Sequence, residues 1–172
     1  MEEKLEKPGY SSLRRFRASV PGASYFVTAN LDRRGRGLEA PKLRMEIERS
    51  WRRLETDGFW SVRTMVVMPD HLHLLITLVA GPDLAAGMRL FKGRATPALR
   101  SAGIKWQEGF YEHRLREWED TLPIFLYIYL NPYCAGLLLA DQPWPGYYCA
   151  PDDWKWFGSM TRASMPQPEW LR

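Results

Sequence analysis

The amino-acid sequence predicts an α+β fold, a ferredoxin-like split βαβ sandwich with an antiparallel sheet and one further helix on its C-terminal side. Three observations support this prediction. A segment of helical periodicity separates the first two strand-like segments. Two strand-like segments then follow one another across a short connection, and a second helical segment leads to a fourth strand. The order strand, helix, strand, strand, helix, strand is that of the split βαβ motif.

The first four elements have clear local signals. Residues 24–30 combine aromatic and β-branched side chains and follow a Pro-Gly turn, which predicts a strand. In residues 41–56 apolar side chains recur at helical spacing, and Asp57-Gly58 then ends the helix. Pro69 interrupts the next apolar stretch, so we predict two strands there. The predicted bounds are 24–30, 59–68 and 72–79 for the strands, 41–56 for the helix and 32–37 for a basic loop.

The second half of the chain has weaker signals. A helix over 83–99 has apolar side chains on one side, but two glycines and a proline lower its intrinsic propensity. Alternating polarity over 109–115 predicts a short fourth strand. A last helix is predicted over 120–130, because Pro123 falls in its first turn and Pro132 is expected to end it.

Composition sets the broad class. With 172 residues, 45% hydrophobic content and a formal net charge of +4, the chain suits one globular domain that tolerates anionic partners. The two cysteines lack CxxC spacing, and no apolar run reaches the roughly 18 residues of a membrane helix. We therefore expect a cytoplasmic protein without membrane association. We divide it into a basic N-terminal arm (1–20), a central domain (21–145) and a C-terminal tail (146–172).

Basic residues gather in three clusters. Such clusters, interleaved with aromatic residues, favour a nucleic-acid surface, although a solvated face would have the same composition. The clusters consist of Arg14, Arg15 and Arg17; of Arg33, Arg34 and Arg36; and of Arg89, Lys92, Arg94 and Arg100.

His71 and His73 form the first candidate site. Residues two apart in a strand point to the same face, so both imidazoles project together, and two neighbouring imidazoles are suitable metal ligands. A His-x-His pair is also compatible with two partly exposed polar residues that bind nothing. However, these are two of only three histidines, and their flanks are strongly apolar. A polar pair in that setting is costly unless it has partners.

Tyr127 and Asn131 form the second candidate site. They are four residues apart and lie on one face of the last predicted helix, whereas Tyr129 points almost the opposite way. Aromatic residues on an apolar helix are usually part of the core. An Asn beside a Tyr on a helix that is otherwise nearly all apolar is nevertheless a costly choice for a core position.

Together these residues suggest a phosphoryl-transfer site. A divalent ion held by His71, His73 and the Asn131 oxygen would polarise a phosphodiester, and the Tyr127 hydroxyl would attack phosphorus to form a phosphotyrosine link. Imidazole ligands favour zinc-like ions, whereas phosphate oxygens and a carboxamide suit Mg²⁺ or Mn²⁺. We expect Mg²⁺ or Mn²⁺.

At these residues the chain resembles the single-tyrosine HUH transposases of the insertion-sequence type, and specifically the REP-associated tyrosine transposases. The resemblance covers about residues 13–145 and depends on several motifs in one order. The motifs are Arg14-Arg15-Phe16-Arg17, the segment 21–31, Met68-Pro69-Asp70-His71-Leu72-His73-Leu74-Leu75, Phe91-Lys92-Gly93-Arg94, the segment 106–116, Tyr127-Ile128-Tyr129-Leu130-Asn131-Pro132 and Ala135-Gly136-Leu137.

The resemblance implies a ferredoxin-like HUH domain with a divalent metal on His71 and His73, helped by Asn131, and with Tyr127 as the nucleophile. It further implies cleavage and joining of single-stranded DNA near imperfect-palindrome hairpins, the repetitive extragenic palindromes (REP) of bacteria. The enzyme would act as a monomer or a homodimer. Two alternatives are a relative that binds DNA hairpins without cutting and a metal phosphodiesterase that uses water as nucleophile.

Four further residues are candidate DNA contacts, and each has a plainer interpretation. Lys92, Arg14 and Arg15 are candidate phosphate ligands, or solvated charges. His113 lies on the predicted fourth strand and would approach the site, contact DNA or make a structural hydrogen bond. The tryptophans of the tail either pack on the domain or stack on unpaired bases.

Overall fold

The structure is a computed structural model that describes residues 19–79, 83–139 and 142–162. It contains a short 3-10 turn, Asp32–Arg34, after the first strand. The main elements are β1 (Ser24–Asn30), α1 (Pro41–Thr56), β2 (Trp60–Val67), β3 (His71–Leu78), α2 (Leu84–Ser101), β4 (Tyr111–Arg114), α3 (Leu122–Cys134), β5 (Tyr147–Cys149) and α4 (Pro151–Arg162).

The strands form one antiparallel sheet in the order β4-β1-β3-β2-β5. Its first four members have the order and connections of the split βαβ motif, so the predicted α+β ferredoxin-like class is confirmed. The bounds predicted for β1 and α1 agree with the structure, and those of β2 and β3 differ by one residue at each end. The fourth strand is shorter than predicted, four residues instead of seven.

One face of the sheet is covered by α1 and α2. The apolar stripe of α1 packs inward together with alternate residues of β1 and β3 and with the apolar side of α2. Because side chains alternate along a strand, this face receives only one of the two residue sets of each strand. The fully buried large members of this cluster are Leu38, Ile47, Trp51, Leu54, Trp60, Leu72, Leu74, Ile76 and Phe91.

Helix α2 continues across three helix-unfavourable positions, Gly87, Gly93 and Pro97. It runs two residues beyond the predicted end although it contains Pro97. Packing explains the glycine at position 87, because a Cβ atom on Gly87 would lie 2.7 Å from the Trp60 ring. The close approach of helix and strand therefore requires glycine, and packing overrides local propensity.

The opposite face of the sheet is partly covered by α3 and α4. Phe125 and Ile128 of α3 pack with Phe157 of α4 and with the strand residues Val66 and Leu75. The ring centroids of Phe125 and Phe157 lie 5.3 Å apart. This second core lies over the β2 and β3 side of the sheet, since α3 packs mainly against these two strands.

Helix α3 extends past the proline that was expected to end it. The prediction of an end at residue 130 is wrong, because the helix continues through Pro132 to Cys134. A proline in a helix removes one backbone hydrogen bond. Here Pro132 is buried, the rings of Tyr129 and Tyr133 pack at 5.7 Å one turn apart, and Gly136, with φ of 66°, ends the segment. Tertiary packing therefore offsets the lost bond.

The described part of the predicted tail belongs to the same sheet and core. Strand β5 pairs with the outer edge of β2. The register of β2 shifts between Val62 and Thr64, and the residue at this bulge, Arg63, makes two hydrogen bonds of 3.1 and 2.6 Å to the carboxylate of Asp153 in α4. Of the two interpretations of the tail tryptophans, packing on the domain describes Trp154 and Trp156. Among the described residues no helix has both the length and the apolar character needed to cross a membrane.

Candidate active site

The two histidines lie on β3, in the middle of the sheet, and face the side occupied by α3. His73 is directly opposite Thr28 of β1, and His71 is opposite Asn30. The imidazole centroids are 4.6 Å apart. The prediction that both rings project together from one strand is therefore confirmed.

Each imidazole is held through its Nδ1 atom. Nδ1 of His71 donates to the Asp70 carboxylate at 2.7 Å, and Nδ1 of His73 shares a hydrogen bond of 2.8 Å with the Thr28 hydroxyl. Such partners fix the orientation of a ring and leave its Nε2 atom available to a ligand. Asp70 belongs to the motif of residues 68–75, but neither Asp70 nor Thr28 was among the predicted site residues.

His73 is deeply buried, with 4% of its surface exposed. Burial in the sheet, and secondarily the neighbouring charge of His71, lowers the pKa of His73 to about 3. The imidazole is therefore neutral at physiological pH. The tautomer with hydrogen on Nδ1 fits both neighbours of the ring. Its Nδ1–H donates to the Thr28 hydroxyl, and its Nε2 keeps a lone pair that can accept a hydrogen bond.

Tyr127 of α3 reaches this lone pair. Its hydroxyl oxygen lies 3.3 Å from Nε2 of His73, and half of the residue (50%) is exposed to solvent. Phe26 braces both groups: its ring stacks on His73 at 5.3 Å and meets the edge of Tyr127 at 5.8 Å. Tyr129, two residues along the helix, packs in the second core against Tyr147 and Phe157. The structure thus brings Tyr127 to the histidines and directs Tyr129 away from them.

The donor set of this site fits a divalent cation in part. The described residues contain no group of three or more His, Cys, Asp or Glu side chains arranged around one point. Two imidazoles are nonetheless held through Nδ1, and among the described residues only Tyr127 contacts one of their Nε2 atoms, so the pair can supply two nitrogen ligands. A complete coordination shell would need oxygen ligands from elsewhere, such as substrate phosphate.

Asn131, the third predicted ligand, lies one turn after Tyr127 on α3 and is partly exposed. It shares no hydrogen bond with either histidine within the described part of the chain. The structure therefore brings together Tyr127, His71 and His73, and the role of Asn131 as a metal ligand stays a prediction.

The predicted DNA contacts either have structural partners of their own or lie outside the described residues. Lys92 belongs to α2, and its ammonium donates to the carbonyls of Gln107 and Gly109 at 2.6 and 2.7 Å, which ties the helix to the loop before β4. Nε2 of His113 and the Glu119 carboxylate form a hydrogen bond of 2.7 Å, the structural contact that was one of its three interpretations. Arg14 and Arg15 lie outside the described residues.

Sequence reasoning missed Phe26, Thr28 and Asp70. All three contact a histidine of the site. Asp70 could have been found from its position immediately before His71. Phe26 and Thr28 could be found only after the register of β1 against β3 was known, because their partners are far away in the chain.

Comparisons with known proteins agree on one group of relatives. No family model matches the chain. The chain is 30% identical over 127 residues to a REP-associated tyrosine transposase of Escherichia coli, and the match covers 73% of this chain and 76% of the relative. A Haemophilus influenzae protein named for the same group is 32% identical over 94 residues, or 46% of this chain and 53% of the relative. The chain is also similar to the solved structure of a REP-associated tyrosine transposase bound to a REP hairpin, with a TM-score of 0.65 and 29% identity. This match covers 77% of this chain and 79% of the solved chain.

Proposed function

The chain belongs to the REP-associated tyrosine transposases, and from this premise we propose that it cuts and rejoins single-stranded DNA beside palindromic hairpins, with Tyr127 as the nucleophile. The observation that carries the proposal is the 3.3 Å distance between the Tyr127 hydroxyl and Nε2 of His73. A tyrosine that is half exposed and whose hydroxyl lies against one of two neighbouring imidazoles has the position that covalent catalysis requires.

The chemistry follows from the groups around this hydroxyl. The Tyr127 oxygen attacks phosphorus and forms one P–O bond, another P–O bond of the phosphodiester breaks, and the released sugar oxygen takes up a proton. The phenol proton passes to solvent, since Tyr127 is half exposed. The phosphotyrosine ester keeps the energy of the broken bond, so a second strand can displace the tyrosine without ATP.

The histidines would hold a divalent cation, Mg²⁺ or Mn²⁺, with Asn131 as a further ligand. When bound, this cation supplies charge neutralisation at the phosphate oxygens. The chain itself orients these ligands: Asp70 and Thr28 hold the rings of His71 and His73 by hydrogen bonds. The Phe26 ring stacks on His73. A solved relative bound to a REP hairpin supports hairpin DNA as the partner.

The test is formation of a covalent adduct. The protein is incubated with Mg²⁺ or Mn²⁺ and labelled oligonucleotides that carry a hairpin and a single-stranded flank, and adducts that survive denaturation are separated on a gel. We expect an adduct with the unaltered protein and none with Tyr127→Phe, because phenylalanine has no attacking oxygen.

Tyr129→Phe is the matched control. It removes the same atom from the same helix, but on the side that packs in the second core, so adduct formation should persist. Cleavage by Tyr127→Phe would instead support water as the nucleophile. An unaltered protein that binds hairpins but never forms an adduct would support the binding alternative.

A further inference from the structure

Part of the sheet face beside the candidate active site is open. Helix α3 packs mainly against β2 and β3, whereas residues of β1 and β4 on the same face remain partly or largely exposed in the described part of the chain. Tyr111 is the most exposed large side chain among them, at 57%. We call this surface the open shelf, and it consists of Phe26, Thr28, Tyr111 and His113.

The open shelf is continuous with the tyrosine and histidine site. Thr28 lies between Tyr111 of β4 and His73 of β3, directly opposite both. Two strand spacings, roughly 10 Å, therefore separate the backbones of Tyr111 and His73. The Phe26 ring lies between Tyr111 and the candidate nucleophile: its centroid is 6.4 Å from that of Tyr111 and 5.8 Å from that of Tyr127.

We propose that Tyr111 is a stacking platform for an unpaired base next to the phosphodiester that Tyr127 attacks. The proposal rests on the proposed function, which puts the phosphodiester at Tyr127. The nucleotide on one side of this phosphodiester, or the next nucleotide along the strand, can therefore reach Tyr111. The bases of a single strand have free π-faces, and an exposed aromatic ring accepts any base by stacking.

The surroundings favour a base over a phosphate at this position. The side chains on the shelf closest to Tyr111 are aromatic or hydroxyl-bearing, and the His113 imidazole is already engaged by the Glu119 carboxylate. The Glu119 carboxylate beside His113 repels an anionic phosphate, whereas an uncharged base meets no such repulsion. Stacking against a ring tolerates sequence variation, so the platform would hold a strand in place without reading it.

The experiment measures binding separately from cutting. All proteins carry Tyr127→Phe so that no adduct forms, and fluorescence anisotropy gives the dissociation constant for a hairpin oligonucleotide with a single-stranded flank. We expect Tyr111→Ala to weaken binding by roughly tenfold. Tyr111→Phe keeps the ring and should bind like the parent, as should Met45→Ala, which removes an exposed apolar side chain on α1, on the other side of the sheet.

An abasic site moved along the flank then locates the contact. At one position the missing base should abolish the difference between the parent and Tyr111→Ala, while at the other positions the tenfold ratio persists. Equal affinities of the parent and Tyr111→Ala for the intact oligonucleotide would overturn the proposal, as would a ratio independent of the abasic position. The proposed function would fail in a different experiment, in which the protein with Tyr127 intact forms no covalent adduct.

Discussion

The two faces of the sheet are built from the same strands but serve different purposes. On the face covered by α1 and α2, β3 contributes Leu72, Leu74 and Ile76, all fully buried. On the other face the same strand contributes His71, which is partly exposed, and His73, which is buried beside Tyr127 of α3. Alternation along one strand thus separates a sealed apolar face from the face of the candidate active site, and the rigid first face positions the second.

The largest expected effect concerns the sealed face. Phe91 is completely buried between Trp60 and Trp106, so Phe91→Ala should lower the free energy of unfolding by about 3–5 kcal/mol. Denaturant unfolding measures this. Leu90→Ala, on the adjacent and partly exposed position of α2, should cost less than about 1 kcal/mol. Similar losses in the two variants would mean that this face is not sealed.

A smaller effect is expected where α4 attaches to the other face. Asp153 is 13% exposed in its side chain and receives two hydrogen bonds from Arg63. Asp153→Ala leaves this guanidinium without its partner and should lower the free energy of unfolding by about 2 kcal/mol. Asp152→Ala removes an exposed carboxylate paired with Lys155, and it should leave the free energy of unfolding almost unchanged, because exposed ion pairs contribute little. Equal effects would indicate that α4 is not firmly attached.

The smallest effect concerns the site itself. Thr28→Val keeps the shape of the side chain but removes the hydroxyl that holds Nδ1 of His73. Calorimetric titration with Mn²⁺ should show an affinity roughly tenfold lower, with little change in stability. Thr77→Val is the control: it loses a comparable hydroxyl contact with Ser24 on the same two strands but touches neither histidine. A loss of the same size in both variants would contradict the role of Thr28.

Much of the sheet could be predicted because its signals are local. The strand pair around Pro69 and the amphipathic helix α1 each carry their periodicity within one segment. The same holds for the histidine pair, since its geometry depends only on strand alternation. Its meeting with Tyr127 is a long-range contact, which the sequence suggested through the combined chemistry of the residues and through a resemblance, because no local pattern encodes it.

The remaining features depend on tertiary packing. Pro132 has a strong local preference to end a helix, which packing of the neighbouring rings overrides. Strand β5 has only three residues and a partner some eighty positions earlier in the chain, so it has no periodicity to detect. Thr28 and Phe26 are ordinary strand residues in the sequence, and their contacts with His73 follow from the register of β1 and β3 alone.

Strand β5 has a consequence for how far the chain can be shortened. It pairs with β2, and Trp144 donates its indole N–H to the Val67 carbonyl at 2.9 Å beside it. A chain cut at residue 145 would leave the long, apolar β2 with unpaired backbone groups along one margin, which is a template for self-association. A shortened version of this protein should therefore keep β5, and within the described residues the two edges of the sheet are then the short strands β4 and β5, of which β4 lies next to the open shelf.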